Sequence, residues 1–307
     1  MTSTHRIEAP SSELPAAVFL ALAEEFFDKQ GQPIPFHLPA KTKPQDDPFD
    51  RHVVAVLKRK LAKDLVVLIS GQNTSPDLVV ARPEEYQLLV DGGADFNTTA
   101  IMALEVKKVA PTKSGQPSRT SSMDFNSTPP CSTVRVYSDK GMPLIIPAYY
   151  LISLLARSGD EPELYYTDSL ALVPGSALSE DTELYDEITG ERTKLINLGS
   201  YGDGADRQRP MLIFSNPLGW SWMAGQATLI SDRSGLDSEV GELRYVREIS
   251  RETTAGKVNT FFCYRLESLN PPFEEPARNP FPLPSARTEK TSPRGHFKIN
   301  LRREGLF

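Results

Sequence analysis

Two short apolar segments, each with charged residues at one end, constrain the fold of this chain more than any other feature. Pro76-Asp77 opens the first segment, which continues as Leu78-Val79-Val80-Ala81. The second segment begins at Ala100 and ends with Glu105-Val106-Lys107. Asp77 and Glu105 are 28 positions apart in the sequence. The Pro-Asp pair and the acid-x-Lys triplet each occur only once in the 307 residues. Both segments have the length and the residue types of buried β-strands.

Alternation along the second segment divides its side chains between two faces of a sheet. Successive side chains of a strand point to opposite faces. We therefore expect Met102, Leu104 and Val106 on a core face, with Ala103, Glu105 and Lys107 on the other. Glu105 and Lys107 would stand about 6.6 Å apart, at roughly 3.3 Å of rise per residue. If the two strands pair, the carboxylates of Asp77 and Glu105 and the ammonium of Lys107 converge at the rim of a sheet.

Two carboxylates and an ammonium suit the hydrolysis of a phosphodiester. Mg²⁺ prefers oxygen ligands and is usually held by one or two carboxylates together with phosphate and water. Asp77 and Glu105 would supply the carboxylates, and the carbonyl of Val106 is a further candidate ligand. Lys107 would orient the attacking water or stabilise the transition state. The alternative is a surface aspartate after a turn proline, with Glu105 and Lys107 as a solvated pair on a strand.

This motif resembles that of the PD-(D/E)xK nuclease superfamily, whose best-represented members are Type II restriction endonucleases. The resemblance covers residues 66–155, about a third of the chain. It implies catalytic roles for Asp77, Glu105 and Lys107, and Mg²⁺ held by Asp77, Glu105 and Val106. Some members of the superfamily place a glutamate from an early helix near the metal. Glu24 or Glu25 is the candidate for that position, and an exposed helix face is the alternative.

The segment after the Glu105 strand is similar to the DNA-facing segment of a group of restriction enzymes. Side chains of these types read base edges: arginine pairs with guanine, asparagine with adenine and aspartate with the cytosine amine. An ordinary surface loop is the alternative. The candidate DNA-binding residues are Arg119, Ser121, Ser122, Asp124, Asn126, Ser127, Thr128 and, on the following strand, Arg135.

Composition describes an ordinary globular chain and excludes several classes of protein. Hydrophobic residues make up 39% and charged residues 24% of the sequence. No apolar stretch reaches the roughly 18 residues that would span a bilayer. Two cysteines and four histidines make a disulfide framework or a zinc cluster improbable. These features favour the cytoplasm. The net charge of −6 argues against indiscriminate binding to nucleic acid, but specific contacts depend on local charge.

The order of helical and strand patterns predicts an α/β fold, a central mixed β-sheet flanked by helices. Apolar spacing indicates helices over Leu14 to Gln30, Phe49 to Asp64 and Pro147 to Ala156. Further strands are expected at 65–70, 134–137, 144–146, 169–173, 211–215 and 261–266. Residues 1–270 are expected to form one nuclease domain. Residues 271–307 are expected to form a proline-rich, basic C-terminal arm, because seven prolines lie between 271 and 293 and seven basic residues against two acidic ones lie between 277 and 307.

These observations together predict a Mg²⁺-dependent Type II restriction endonuclease that cleaves a specific sequence of double-stranded DNA. A homodimer is expected, since two-fold symmetry in the protein would match two-fold symmetry in the DNA. A repair or recombination nuclease with the same core is one alternative. A non-catalytic DNA-binding protein of this fold is another.

Overall fold

A mixed β-sheet with helices packed on it forms the centre of the protein. The computed structural model describes residues 14–41, 47–61, 65–69, 75–91, 100–115, 131–137, 141, 143–180, 227–252 and 256–266. The helices in this part of the chain are α1 (Leu14–Phe26), α2 (Pro48–Leu61), α3 (Pro83–Asp91) and the short α4 (Leu236–Glu239), with a further helical stretch at 175–180. The strands are β1 (Phe36–His37), β2 (Val66–Ile69), β3 (Leu78–Ala81), β4 (Ile101–Val109), β5 (Thr133–Tyr137), β6 (Pro143–Arg157), β7 (Leu164–Pro174), β8 (Ala227–Ser231), β9 (Leu243–Glu252) and β10 (Val258–Leu266).

Among the described residues, the sheet has ten strands and runs in the order β2-β3-β4-β6-β7-β8-β10-β9, with β1 paired to β7 and β5 paired to β6. β4–β6 and β7–β8 are parallel pairs, and the other pairs are antiparallel. The predicted α/β architecture, a central mixed sheet flanked by helices, is therefore confirmed. β4 lies between β3 and β6, so the strand that carries Glu105 and Lys107 is fixed on both edges.

The helices α1 and α2 cover one face of the sheet. α2 is amphipathic: Val53, Val56 and Leu57 are buried, whereas Lys58 and Arg59 are exposed. α1 is buried on most of its surface because α2 lies over it on one side and the sheet on the other. Together these helices form the main core with alternate residues of the strands, among them Leu78, Val80, Met102, Leu104 and Val106.

A smaller core lies on the opposite face of the sheet. Ala81, Ile101 and Ala103 pack there with Leu144 and Ile146 of β6. Partly buried side chains complete this cluster, among them Tyr86 of α3 and Val134 and Val136 of β5. The predicted alternation along β4 is confirmed, since Met102, Leu104 and Val106 lie in the main core and Ala103 lies on the other side.

The prediction of a helix over Pro147 to Ala156 is wrong, because residues 143–157 form the single strand β6. The strand is buried on both faces over much of its length, so its sequence is continuously apolar and lacks the alternation of a half-buried strand. Pro147 lies where β6 changes from one pairing strand to another. β5 pairs with residues 143–147 and β7 with residues 149–157. A proline, which has no N–H, is tolerated where pairing passes from one strand to the next.

Other predicted elements are present in the structure with different bounds. α1 ends at Phe26 and not at Gln30, because Asp28 Oδ1 accepts hydrogen bonds from the amides of Gln30 (2.9 Å) and Gln32 (2.8 Å) in a turn. The strand expected at 65–70 is present as the shorter β2, and the strands expected at 169–173 and 261–266 lie within the longer β7 and β10. The strand expected at 211–215 and the arm at 271–307 lie outside the described residues. In the described part of the chain, no helix is both long and apolar enough to cross a bilayer.

The residue after β7 must be a glycine. A Cβ atom on Gly175 would lie 1.9 Å from the carbonyl oxygen of Cys131 and 3.0 Å from that of Ala148. Both contacts are with backbone, which cannot move aside as a flexible side chain can. Gly175 therefore allows the end of β7 to approach the chain that leads into β5.

We expect Gly175→Ala to lower the free energy of unfolding by about 1–3 kcal/mol, the usual cost of inserting a group into a filled site. Gly241→Ala is the matched control, because a Cβ atom there meets nothing within 4 Å. Urea denaturation of both variants and the wild type measures the difference. Equal stability of the two variants would contradict this account of Gly175.

Candidate active site

Pairing of β3 with β4 brings the two predicted carboxylates together. Leu78 lies opposite Leu104, and extending this register by one position places Asp77 opposite Glu105. The amide of Val106 donates a 2.7 Å hydrogen bond to Asp77 Oδ2. The side chain of Asp77 thus accepts a bond from the strand that carries Glu105. The two carboxylates become direct neighbours at the end of the strand pair.

Glu105 is held by contacts on both of its oxygens. Lys107 Nζ lies 3.1 Å from Glu105 Oε2, and the hydroxyl of Ser75 donates to Glu105 Oε1. Glu105 is only 8% exposed, whereas the side chain of Lys107 is 29% exposed. The ammonium therefore lies between a buried carboxylate and solvent, where a charged substrate can approach it. All three predicted catalytic residues lie together in the structure.

The two carboxylates differ in their tendency to ionise. Burial, with the neighbouring Glu105 as a second cause, raises the pKa of Asp77 to about 6. Burial also opposes the ionisation of Glu105, but the Lys107 ammonium and the hydrogen bond from Ser75 outweigh it. The pKa of Glu105 therefore lies below its usual value. Near pH 5 Glu105 carries the charge and Asp77 holds a proton.

A third carboxyl group, Asp50, belongs to the same electrostatic cluster. It lies in the first turn of α2. Burial and the charges of Asp47 and Asp77 raise the pKa of Asp50 to about 7, against the opposing effect of Lys108 and Lys107. Sequence reasoning missed this residue. The pair Asp47-Pro48 signals the start of α2, since aspartate is common at a helix N-cap and proline at the first helical position, but it does not indicate which residues lie near Asp50.

Glu24 and Glu25, the candidates from the first helix, pair with α2 instead. Glu25 Oε2 lies 2.5 Å from Arg59 Nη2, and Glu24 Oε2 lies 3.5 Å from Lys60 Nζ. These ion pairs join the two helices to each other. Asp50 of α2, by contrast, is a carboxyl group whose pKa the charge of Asp77 helps to raise.

The donor set fits a hard divalent cation that retains some of its water. Within the described residues, no three His, Cys, Asp or Glu side chains are arranged as a metal-binding group. The candidate protein ligands are two carboxylates and one carbonyl, which suits Mg²⁺ because that ion is usually bound by one or two carboxylates. The N–H of Val106 points toward β3, and its C=O points to the same side because the N–H and C=O of one strand residue face the same neighbouring strand. Continuing the β3–β4 register places Pro76 opposite Val106. A proline has no N–H and so cannot donate a hydrogen bond to the Val106 carbonyl.

Tyr150 lies beside the carboxylates and was also missed, because its segment had been predicted as a helix. It pairs with Glu105 in the parallel register of β4 and β6 and is 5% exposed. Its hydroxyl accepts a 3.0 Å hydrogen bond from the amide of Cys131. Burial is the main cause that raises the pKa of Tyr150 to about 12. Tyr150 therefore remains neutral and anchors the backbone at Cys131 next to Glu105.

Most of the candidate DNA-binding residues cannot be placed. Arg119, Ser121, Ser122, Asp124, Asn126, Ser127 and Thr128 lie outside the described residues. Arg135 is exposed on β5, where it pairs with Ile145. Its neighbours Val134 and Val136 point to the smaller core, so Arg135 projects to the other side of the strand together with the exposed Tyr137.

Comparisons with known proteins establish no family for this chain. No family model matches the sequence, and no curated protein matches it. Among solved structures, a match is found to the crystal structure of the restriction endonuclease BglI bound to its DNA recognition sequence. That match covers 60% of this chain and 77% of the other, with 16% sequence identity and a TM-score of 0.21. A similarity of this size carries no argument about function.

The raised pKa of Asp50 predicts how stability depends on pH. The folded protein keeps a proton on Asp50 up to about pH 7, whereas the unfolded chain releases it near the ordinary value of 3.8. Stability is therefore lost as the pH rises through this interval. Without divalent cations, we expect Asp50→Asn to raise the free energy of unfolding at pH 8 by about 1 kcal/mol or more, and to change it little at pH 4.5. Urea denaturation in EDTA at the two pH values measures this.

Asp160→Asn serves as the control, because Asp160 is exposed in the turn between β6 and β7. Its stability should follow that of the wild type at both pH values. If Asp50→Asn raises the free energy of unfolding equally at pH 4.5 and pH 8, the charge of Asp50 is not the cause of the change in stability.

Proposed function

We propose that this protein is a Mg²⁺-dependent nuclease that hydrolyses phosphodiester bonds of double-stranded DNA at a specific sequence, as Type II restriction endonucleases do. One observation carries the proposal: Asp77 and Glu105 adjoin across a strand pair while Lys107 contacts Glu105. These three residues belong to the two motif halves that resemble the superfamily. Two adjoining carboxylates at the end of a strand pair are costly unless a cation or a proton is shared between them.

Asp77 and Glu105 are the proposed side-chain ligands of Mg²⁺, with the carbonyl of Val106 as a backbone ligand. The ion would lower the pKa of a bound water and shield the charge that builds on the phosphate. Ser75 contributes by holding one oxygen of Glu105, which limits the orientations of that carboxylate. The amide of Val106 does the same for Asp77. The ligands are thus oriented before any substrate binds, which is what precise catalysis requires.

Lys107 acts on the reacting groups in this proposal. Its ammonium is partly exposed and lies next to the ligand Glu105. From there it orients the attacking water or stabilises the negative charge that develops on the phosphate in the transition state. A fixed positive charge in this place also offsets the repulsion between the two carboxylates and the phosphate of the substrate.

Double-stranded DNA is the proposed substrate, bound by a homodimer with one active site for each strand. The chain carries a net charge of −6, so binding must rely on local contacts. Arg135 is one candidate contact, because it is exposed on a strand that pairs with β6. The other proposed contacts are Arg119, Ser121, Ser122, Asp124, Asn126, Ser127 and Thr128.

Digestion of phage and plasmid DNA with the purified protein and Mg²⁺ tests the proposal. Discrete fragments that map to one short sequence support a restriction endonuclease. Nicks that depend on DNA structure, and not on sequence, would indicate a repair or recombination nuclease instead. Binding to duplex DNA with no cleavage under any divalent cation would identify a non-catalytic DNA-binding protein.

Asp77→Asn and Glu105→Gln should each lower the cleavage rate with Mg²⁺ by about 10²-fold or more, since each removes charge from a site that depends on electrostatic stabilisation. Gel assays of DNA cleavage measure the rates, and EDTA should abolish cleavage by the wild type. Glu242→Gln is the control, because Glu242 is exposed in a turn before β9. Full activity of the wild type in EDTA would disprove the role of the metal.

Lys107→Ala should separate catalysis from binding. We expect the variant to lose cleavage while its affinity for the cleaved sequence, measured with Ca²⁺ in place of Mg²⁺, stays within about tenfold of wild type. The reason is that the ammonium acts mainly in the transition state. Fluorescence anisotropy with labelled duplexes gives the affinity. If the variant cleaves at the wild-type rate, Lys107 is not a catalytic residue.

A further inference from the structure

Ser75 comes immediately before the Pro76-Asp77 pair and contacts the second carboxylate of the site. Its hydroxyl donates a hydrogen bond to Glu105 Oε1, a contact between residues that are 30 positions apart in the chain. Ser75 itself is exposed, whereas Glu105 is only 8% exposed. The hydroxyl therefore reaches from the surface of the protein to a carboxylate that has little contact with solvent.

Two side-chain hydrogen bonds join the segment before β3 to β4, beyond the backbone pairs of these strands. Asp77 Oδ2 accepts a bond from the amide of Val106, and the hydroxyl of Ser75 donates to Glu105. The two bonds have separate effects. The bond to Val106 fixes the carboxylate of Asp77, and the bond from Ser75 fixes the carboxylate of Glu105. Removal of the Ser75 hydroxyl would therefore release Glu105 while the strands stay paired.

Both oxygens of the Glu105 carboxylate have a donor of their own. Oε1 accepts from the hydroxyl of Ser75, and Oε2 lies 3.1 Å from Lys107 Nζ. The two donors belong to different segments, since Ser75 precedes β3 and Lys107 lies on β4. The carboxylate is therefore held in one orientation from two sides, and it cannot turn freely to present both oxygens to one ion.

The two common hard divalent cations differ in what they require of a carboxylate. Ca²⁺ takes about 6–8 oxygen ligands at about 2.3–2.6 Å in a flexible geometry, through one or both oxygens of each carboxylate. Mg²⁺ is smaller, requires a nearly ideal octahedron at about 2.0–2.1 Å and keeps several waters. A carboxylate that is fixed in orientation and offers one oxygen suits Mg²⁺ better than Ca²⁺.

We propose that Ser75 is a positioning residue that sets the cation selectivity of the site, because its hydrogen bond to Oε1 holds Glu105 so that this carboxylate binds a cation through one oxygen only. The expected preference is for Mg²⁺ over Ca²⁺. This inference rests on the proposed function, since it concerns the same cation site. Ser75 touches neither the cation nor the DNA, and its effect on cation binding passes through Glu105.

The alternative role of Ser75 is an ordinary structural hydrogen bond at the end of the strand pair. Loss of such a bond would lower the stability of the protein, or weaken the binding of every cation by the same factor. Loss of a residue that controls selectivity would instead change the ratio of the Ca²⁺ and Mg²⁺ affinities. The ratio of two dissociation constants therefore distinguishes the two roles.

Isothermal titration calorimetry on the full chain provides the test, with Ca²⁺ and with Mn²⁺, which takes the same oxygen ligands as Mg²⁺. We expect Ser75→Ala to raise the Mn²⁺ dissociation constant about tenfold, as is usual when a residue that orients a ligand is lost. The Ca²⁺ dissociation constant should stay the same or fall, because the released Oε1 becomes available to that ion. Ser75→Thr keeps a hydroxyl and should restore the wild-type ratio.

Ser114→Ala is the matched control. Ser114 is exposed in the turn after β4, where its hydroxyl lies 3.0 Å from that of Thr112, so the same chemical change there should leave both affinities as in the wild type. Ser75 is also exposed, and Ser75→Ala is expected to fold normally, which urea denaturation checks. In cleavage assays of this variant, the Mg²⁺ concentration for half-maximal rate should rise by the same factor as the Mn²⁺ dissociation constant.

The outcomes separate this inference from the proposed function. Dissociation constants for Mn²⁺ and Ca²⁺ that change by the same factor in Ser75→Ala, or that do not change, would overturn the role of Ser75 in selectivity and leave the cation site standing. A Ser75→Thr variant that behaves as Ser75→Ala does would overturn the role of the hydroxyl. A wild-type protein that binds neither cation would overturn the cation site itself.

Discussion

The hydrogen bond from the Val106 amide to the Asp77 carboxylate is the contact on which the site depends. It lies where backbone pairing between β3 and β4 ends, and there a side chain accepts a bond from the next strand. Proline at position 76 suits this arrangement, because a residue without an N–H cannot continue the ladder. The result is that Asp77 is drawn against β4 at the position of Glu105. A strand pair that continued normally would leave the two carboxylates free to turn away from each other.

Bringing carboxylates together costs free energy, and several contacts offset that cost. Lys107 and Ser75 stabilise the charge on Glu105, while Asp77 and Asp50 respond to burial and to neighbouring charge with pKa values of about 6 and about 7. Without a cation, the site therefore retains protons near neutral pH. A divalent cation would replace those protons and relieve the repulsion between carboxylates, which is why metal affinity at such sites rises with pH.

Sequence patterns predicted the strand pair but not all of its surroundings. Asp77, Glu105 and Lys107 were predictable because their strands are short, apolar and correctly alternating, so local rules and tertiary packing agree. β6 could not be predicted from its sequence, because a strand buried on both faces has the same continuous apolar sequence as a buried helix. Tyr150 lies on β6 and was missed for the same reason. Asp50 was missed for another reason: its place near Asp77 depends on how α2 packs on the sheet, which no local pattern encodes.

The two adjacent lysines show how one strand makes different contacts from its two faces. Alternation sends Lys107 to the carboxylates and Lys108 to the cap of α2, so a single rigid element sets the positions of both. β4 is suited to this because β3 and β6 hold it on either edge. A shift of β4 would move Lys107 relative to Glu105 very little, since both belong to it. The same shift would change the distance from Lys108 to Asp47. The geometry within the strand is therefore robust, whereas the attachment of α2 to β4 depends on contacts between separate elements, the ion pair of Lys108 with Asp47 among them.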